Sequence, residues 1–180
     1  AFVCFAVKVF IPAKSGAGKQ VEISVSRDGT ETDSSLYTIG ARVNMQGTLT
    51  FHKRGEALYL NFHADTVDLA PATDKDSIVG NIEFRGTIGK QVEEKTDKQG
   101  GKYLVFSAFS TEKDGDALAF TWVRFIRFSA EREAFLAPKT GITVKGKLEL
   151  TAYLDKLNIA CRVEELAEWV KKENNHQTQS

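Results

Sequence analysis

Apolar and polar residues alternate with a period of two through most of this chain, the mark of strands with one buried face. In the first part the alternation predicts strands at Phe2–Ile11, Gln20–Arg27, Leu36–Met45, Gly47–Phe51 and Leu58–Val67. In the second part it predicts them at Ile78–Lys90, Tyr103–Ser110, Phe120–Phe128, Ile142–Leu150 and Leu157–Val163, with a polar hairpin over Glu93–Gly101. Pro12 ends the first strand, and Asp28-Gly29 and Arg54-Gly55 mark turns. Two stretches depart from the alternation. Ser129–Ala137 offers an N-cap serine, an early glutamate and good helix formers before Pro138 and Gly141, which predicts a short helix. Glu164–Glu173 is a second, amphipathic helix candidate. Ala70–Ser77, with Pro71 and three charges, reads as a linker. The expected organisation is therefore a β-domain over 1–70, a linker over 71–77, a second β-domain over 78–173 and a frayed tail over 174–180.

The run Phe120–Phe128 carries more aromatic and cationic character than a core strand needs. Phe120, Trp122, Arg124, Ile126 and Phe128 share one face, and Thr121, Val123, Phe125 and Arg127 the other. An unpaired guanidinium in a core is costly, so the Arg124 face is expected to look outward and Val123 and Phe125 to supply the core. Aromatic rings beside cations suit a polymer of flat bases and anionic phosphates. Taken alone, the strand also fits core aromatics with arginines in rim salt bridges.

Two hairpins look alike. Gly47-Thr48-Leu49-Thr50-Phe51 followed by Leu58–Val67 and Leu69-Ala70 parallels Gly146-Lys147-Leu148-Glu149-Leu150 followed by Leu157–Val163 and Leu166-Ala167, with the first hairpin read as a few residues longer. The repeat predicts two small β-barrels of one type.

Composition narrows the function classes. Lys+Arg and Asp+Glu are both 24, so no bulk positive charge draws in nucleic acid and any such binding uses a local groove. The cysteines, Cys4 and Cys161, are far apart in apolar contexts and read as buried free thiols of a reducing compartment. The apolar N-terminal run contains Lys8 and reads as a strand, not a secretory leader. No stretch approaches the roughly 20 apolar residues of a membrane span, so a soluble, cytoplasmic protein without membrane contact is expected. Ser15-Gly16-Ala17-Gly18-Lys19 resembles a phosphate-binding loop, but that loop needs glycine where Ala13 stands and Ser or Thr where Gln20 stands. His52, His63 and His176 combine with neither cysteine at metal-ligand spacing. Glu93-Glu94 and Glu164-Glu165 point to different sides rather than converging, and no serine sits in a nucleophile elbow. Neither catalysis, nor a cofactor, nor a metal is expected.

From Asn81 onward the order of phrases resembles the bacterial single-stranded DNA-binding protein family. The resemblance is carried by Gly86-Thr87-Ile88-Gly89-Lys90 with Glu93, then Phe106-Ser107 with Ser110-Thr111, then Trp122-Val123-Arg124 and Phe128. It continues through Ala134–Leu136, Lys139 and Val144-Lys145-Gly146-Lys147-Leu148 to the neighbourhood of Val163. It implies an OB-fold, a five-stranded barrel with a helix between strands three and four, and, through the repeat, a diverged second barrel in the N-terminal half. It further implies that Trp122, Phe128 and Tyr153 stack bases and that Arg124 contacts phosphate. Arg85, Lys90, Lys145 and Lys147 are candidate flanking cations. Tyr37, Phe51, Tyr59, Lys53 and Arg54 are candidates for a second platform. The loop between Ser110 and Phe120 is short and lacks the extra tryptophan of many members. No Gly/Pro/Gln-rich linker with an acidic, hydrophobic tip follows the barrel, so recruitment of partners through such a tip is not expected.

The expected function is non-enzymatic binding of single-stranded DNA with little sequence preference, by stacking and phosphate neutralisation, during replication, recombination or repair. A homo-oligomer, dimer or tetramer, is the expected assembly. The alternatives are an OB-fold interaction module whose aromatic strand forms a protein or oligomer interface, and an RNA-binding OB protein.

Overall fold

The computed structural model describes residues 1–29, 37–69, 74–129, 131–154 and 156–170. They form nine strands: β1 (Phe2–Ile11), β2 (Lys19–Asp28), β3 (Asn44–Arg54), β4 (Ala57–Asp68), β5 (Asn81–Thr96), β6 (Lys102–Asp114), β7 (Ala117–Arg127), β8 (Gly141–Tyr153) and β9 (Lys156–Glu168). The described residues contain no helix, and so none that is long and apolar enough to cross a membrane. They fall into two compact units. The first holds Ala1–Ile78 with Glu112–Ala119 and Leu150–Leu157, and the second the remaining described residues.

The second unit is a closed barrel with strand order β5-β6-β7-β9-β8. β5 serves two neighbours: Asn81–Thr87 pairs antiparallel with β8, and from Thr87 to Thr96 the strand pairs with β6. The register shift between Ile88 and Val92 makes this possible, because a bulge bends and twists a strand enough to turn a barrel corner. β7 and β9 run parallel, Val123 beside Ile159 through Ile126 beside Arg162. A parallel pair inside an otherwise antiparallel five-stranded barrel is the OB arrangement. Its core is aromatic at the centre: Phe125 meets Phe84 edge-on at 5.0 Å and stacks on Phe106 at 5.2 Å. Ile88, Leu104, Ile142, Val144 and Cys161 are fully buried around them.

The first unit is a four-stranded sheet in the order β1-β2-β4-β3. Val3, Ile11, Val21, Ile23, Val25, Leu60 and Ala64 are the buried residues of these four strands, and Ala119, Leu150 and Ala152 are also buried in this unit. β2 and β4 run parallel over Ile23–Ser26 and Leu60–His63, and β3 and β4 are antiparallel with an irregularity at Gln46/Gly47. This is the barrel's strand pattern without a counterpart of β5, so the expected first five-stranded barrel is instead an open four-stranded sheet. The repeat itself holds at atomic detail. A Cβ on Gly47 would collide with the carbonyl oxygen of His63, and one on Gly146 with that of Arg162. The same number of residues separates each pair, so the two hairpins are equal in length between these points, and the strands of the first are the shorter ones, not the longer.

The helix expected over Ser129–Ala137 is absent from the described residues of that segment; Ala130 lies outside them. Ser129 Oγ does accept the Glu131 amide as a cap would, at 3.1 Å. The chain then makes single turns, Leu136 N–H to Glu133 C=O and Ala137 N–H to Phe135 C=O. It is held to β5 by two hydrogen bonds, Ile88 N–H to Thr140 C=O and Lys139 N–H to Ile88 C=O, each 2.9 Å. A segment this short cannot repay helix nucleation by itself, and Pro138 restricts the residue before it. What remains of the prediction is Leu136, which is 1% exposed. The helix expected over Glu164–Glu173 is corrected likewise: Glu164–Glu168 continue β9, and residues 171–173 lie outside the described part. Tyr37–Val43 is turn and irregular chain rather than the strand expected there. Residues 70–73 of the expected linker and the whole expected tail also lie outside the described residues. Cys161 is buried as expected, and burial pushes its thiol up to about 11. Cys4 is exposed, because it falls between inward-facing Val3 and Phe5 on β1.

Candidate nucleic-acid interface

Alternation along β7 divides its side chains as predicted. Ala119, Val123 and Phe125 are buried, whereas Phe120, Trp122, Arg124 and Phe128 are exposed. Trp122 is 52% exposed and Phe128 57%, high values for rings of this size. Each is backed by other groups rather than projecting alone. The ring of Phe109 lies 5.0 Å from Trp122 and 5.5 Å from Phe120. A Cβ built on Gly89 would stand 2.9 Å from the indole of Trp122, so the ring occupies space that glycine leaves open in the β5 bulge. Phe128 is 5.8 Å from Tyr103, and the guanidinium of Arg162 sits 4.5 Å over its ring.

The result is two aromatic clusters on one barrel face, with Arg124 between them on β7. Trp122 and Phe128 are six residues apart, about 20 Å along a strand. Across the parallel ladder Arg124 stands beside Ala160, whose small side chain leaves it uncovered. Among the described residues no carboxylate pairs with Arg124 or Arg162. Arg127, on the other face of β7, is instead hydrogen-bonded to Glu133, and this bond holds the Glu133 carboxyl below the usual carboxylate range.

The remaining predicted cations are differently placed. Lys145 lies 3.8 Å from Glu83; Lys147 lies 3.8 Å from Glu164 and donates to Asn81 Oδ1 at 2.9 Å. Arg85 packs 5.2 Å from the centre of the Trp169 ring. An open groove with Glu83, Arg85, Lys145 and Glu165 in its walls is thus of mixed sign. Lys90 is exposed within the bulge of β5. Tyr153, 60% exposed at the end of β8, belongs to the first unit.

The five residues named for a second platform are not gathered on one face. Tyr37 stacks on Phe5 at 4.6 Å and accepts a hydrogen bond from Arg27 Nη1 at 2.6 Å. Phe51 is half-buried, while Tyr59 is exposed on β4. Glu112 accepts the Lys53 amide and pairs with Arg54 at 3.1 Å and His52 at 3.3 Å. Burial works against ionisation of Glu112, but these donors outweigh it and keep its carboxyl low. His63 is 3.4 Å from Ser26 Oγ, and His176 lies outside the described residues. Among the described residues no three His, Cys, Asp or Glu side chains gather as a metal would require.

Tyr103, Phe109 and Arg162 also belong to this face and were not expected there, while Phe120 was placed on it but not named as a site residue. For Tyr103 and Phe109 the signal was present, since Leu104, Phe106 and Ala108 claim the other side of β6. Arg162 depends on the β7/β9 register, which no local pattern reveals.

No protein-family model matches the chain, and no curated protein sequence matches it. Among solved structures it is similar to a deletion mutant of the single-stranded DNA binding protein from Thermus aquaticus, with a TM-score of 0.48 and 17% identity over 98% of this chain and 85% of that one. It is similar to the Plasmodium falciparum SSB in complex with ssDNA, with a TM-score of 0.43 and 17% identity over 54% of this chain and 100% of that one. It is also similar to a small single-stranded DNA-binding protein from Streptomyces coelicolor, with a TM-score of 0.41 and 11% identity over 50% of this chain and 92% of that one.

Proposed function

We propose that this chain binds single-stranded DNA with little sequence preference and without catalysis, in the cytoplasm, shielding it during replication, recombination or repair. Bases stack on Trp122 and Phe128, and Arg124 and Arg162 neutralise the phosphates between them. The observation that carries this reading is the outward face of β7, where two backed but exposed aromatic rings flank an arginine that no described carboxylate neutralises. Stacking tolerates every base, because each presents a π-face, and a chain of stacked bases requires cations near its backbone. Lys90 extends the path in this reading. Lys145 and Lys147 contribute less, since each already faces a carboxylate. A homo-oligomer, dimer or tetramer, belongs to the same reading and is checked by sedimentation velocity.

The test is a fluorescence titration with oligo-dT in a Trp169→Phe background, which leaves Trp122 as the reporter. Emission is expected to be quenched, with the quench weakening as salt rises. Trp122→Ala, followed by anisotropy of labelled oligo-dT, is expected to cost about 1–3 kcal/mol of binding while the melting temperature holds. Absence of both quench and mobility shift at low salt would overturn the reading. Tighter binding of oligo-U than of oligo-dT would move it to RNA.

A further inference from the structure

The turn between β3 and β4 holds negative charge with more donors than a surface turn requires. Gly55 closes it with a φ of 58°, a left-handed conformation that helps to aim the amides of a turn to one side, where they form a nest for an anion. The Lys53 amide donates to Glu112 Oε1, and the Gly55 amide to Asp114 Oδ2 at 2.8 Å. Two side chains add to these amides. Arg54 Nη1 lies 3.1 Å from Glu112 Oε2, and His52 Nδ1 lies 3.3 Å from the same oxygen. Arg54 also donates to the Lys53 carbonyl at 2.7 Å, which folds its guanidinium back over the turn.

Glu112 and Asp114 belong to the first unit and are half-buried, with exposed Lys113 between them. Alternation along β6 therefore aims both carboxylates at the turn. Water alone satisfies the amides of most exposed turns, so stability does not demand this arrangement. Carboxylate and phosphate oxygens accept the same charge-assisted hydrogen bonds from amides and guanidinium groups. A stacking ring stands beside the nest as well: Tyr59 is 56% exposed and is the direct cross-strand partner of His52. Directly opposed residues of an antiparallel pair place their side chains about 5 Å apart on one face. A ring next to a phosphate nest is the pair of groups that a nucleotide unit uses.

We propose that the β3–β4 turn is a second phosphate site for single-stranded DNA, made by the Lys53 and Gly55 amides, Arg54 and His52 with Tyr59 as its ring, and that Glu112 and Asp114 hold it closed as internal substitutes for phosphate. The choice of DNA as ligand rests on the function proposed above, whereas the site shares no residue with the β7 face. Lys53 and Arg54 are then masked rather than misplaced. Carboxylates tethered to the turn act at a high effective concentration, so a short oligonucleotide does not displace them from the parent chain.

Glu112→Gln with Asp114→Asn keeps the shape of both side chains and removes both charges. Calorimetric titration with an oligo-dT too short to engage two platforms is expected to give one oligonucleotide per parent chain and two per chain of the double variant. Glu112→Ala with Asp114→Ala vacates the turn altogether and is expected to do the same; circular dichroism melts establish that each variant is folded. Adding Arg54→Ala to the double variant is expected to return it to one oligonucleotide with the Trp122 quench intact. Adding Tyr59→Ala is expected to weaken the new site about tenfold. Adding Trp122→Ala instead is expected to remove the β7 site and leave the new one. Glu56→Gln with Asp65→Asn makes the same change in net charge away from the nest and is expected to leave one oligonucleotide per chain. A folded double variant that still takes up only one oligonucleotide overturns the proposal, as does a second that survives Arg54→Ala or appears equally in the Glu56/Asp65 control. A double variant that binds inorganic phosphate at the turn but no second oligo-dT overturns the assignment to DNA. A parent chain that binds no oligo-dT, beside a double variant that takes up one through Arg54, removes the β7 reading and upholds the masked site.

Discussion

Trp122 shows how a residue that contributes little to the core can still be held firmly. Half of its surface is open, yet its ring is confined between Phe109 and the Cα of Gly89. A ring held in one orientation loses less freedom when a base stacks on it. Gly89→Ala is therefore expected to push the indole aside, because the atoms in its way are the far edge of a side chain and not backbone. The fold is expected to survive with a melting temperature close to that of the parent. Oligo-dT binding is expected to weaken by roughly 1 kcal/mol, part of the value of one stacked base. Trp122 emission and anisotropy read both effects together; an unchanged spectrum with unchanged affinity would show that the indole does not depend on Gly89. At this scale the sequence was informative wherever a period of two decided the answer: Trp122, Arg124 and Phe128 out, Val123 and Phe125 in. It was silent on Arg162, whose place over Phe128 follows from pairing between strands distant in the chain.

Strands were the most legible elements, since a ladder buries one face over many residues and the alternation persists through β2, β6, β7 and β8. The segment after β7 was misread because its local signals are those of a helix, while its backbone is recruited by β5. Ile88 exchanges hydrogen bonds with Lys139 and Thr140, and Arg132 donates twice to the Leu136 carbonyl, at 3.1 and 3.0 Å. Those partners are remote in sequence or belong to side chains, so no window of local propensity reports them. Arg127 and Glu133 fix the start of this loop to the end of β7. Since the Arg127 hydrogen bond lowers the Glu133 pKa in the folded state, the pair contributes its full stability above the ordinary glutamate pKa of about 4.3. That contribution is lost as pH falls through the depressed folded value. Glu133→Gln is expected to lower stability at pH 7 by about 1 kcal/mol, the scale of a partly exposed ion pair. The gap to the parent is expected to close at acid pH, where the parent too is protonated. Thermal melts of both proteins at pH 7 and at about pH 3 make the comparison; a gap of equal size at both would remove the ion pair from the account.

At the scale of the whole molecule the two units share strand order but not surface chemistry. The parallel ladders align Ile23 with Val123, which puts Glu22 in the place of Trp122, Ser24 in that of Arg124 and Asp28 in that of Phe128. The strand face that is aromatic and cationic on β7 is acidic and polar on β2, and the exposed rings of the first sheet are instead Phe2 and Phe10 on β1 and Tyr59 on β4. The repeat was legible because Gly47 and Gly146 are each required by a close backbone approach. The missing strand was not, since a pattern of alternation cannot count which edges of a sheet are filled. With a formal net charge of zero, long-range attraction adds little, and the salt dependence of binding reads the local contacts alone. Arg124 and Arg162 together imply a log–log slope of about −1 to −2, from roughly 0.7 per phosphate on a single strand. Titration with an oligo-dT too short to engage two platforms is expected to saturate at one oligonucleotide per chain. Trp122→Ala is then expected to remove the quenchable site entirely and weaken the only binding phase, rather than leave half of the sites at full affinity. If half do remain, the first unit carries a platform built from groups other than those on its β2 face, and Tyr59 on β4 becomes the residue to substitute next, since it is exposed while Phe51 is half-buried and Tyr37 is engaged by Phe5 and Arg27.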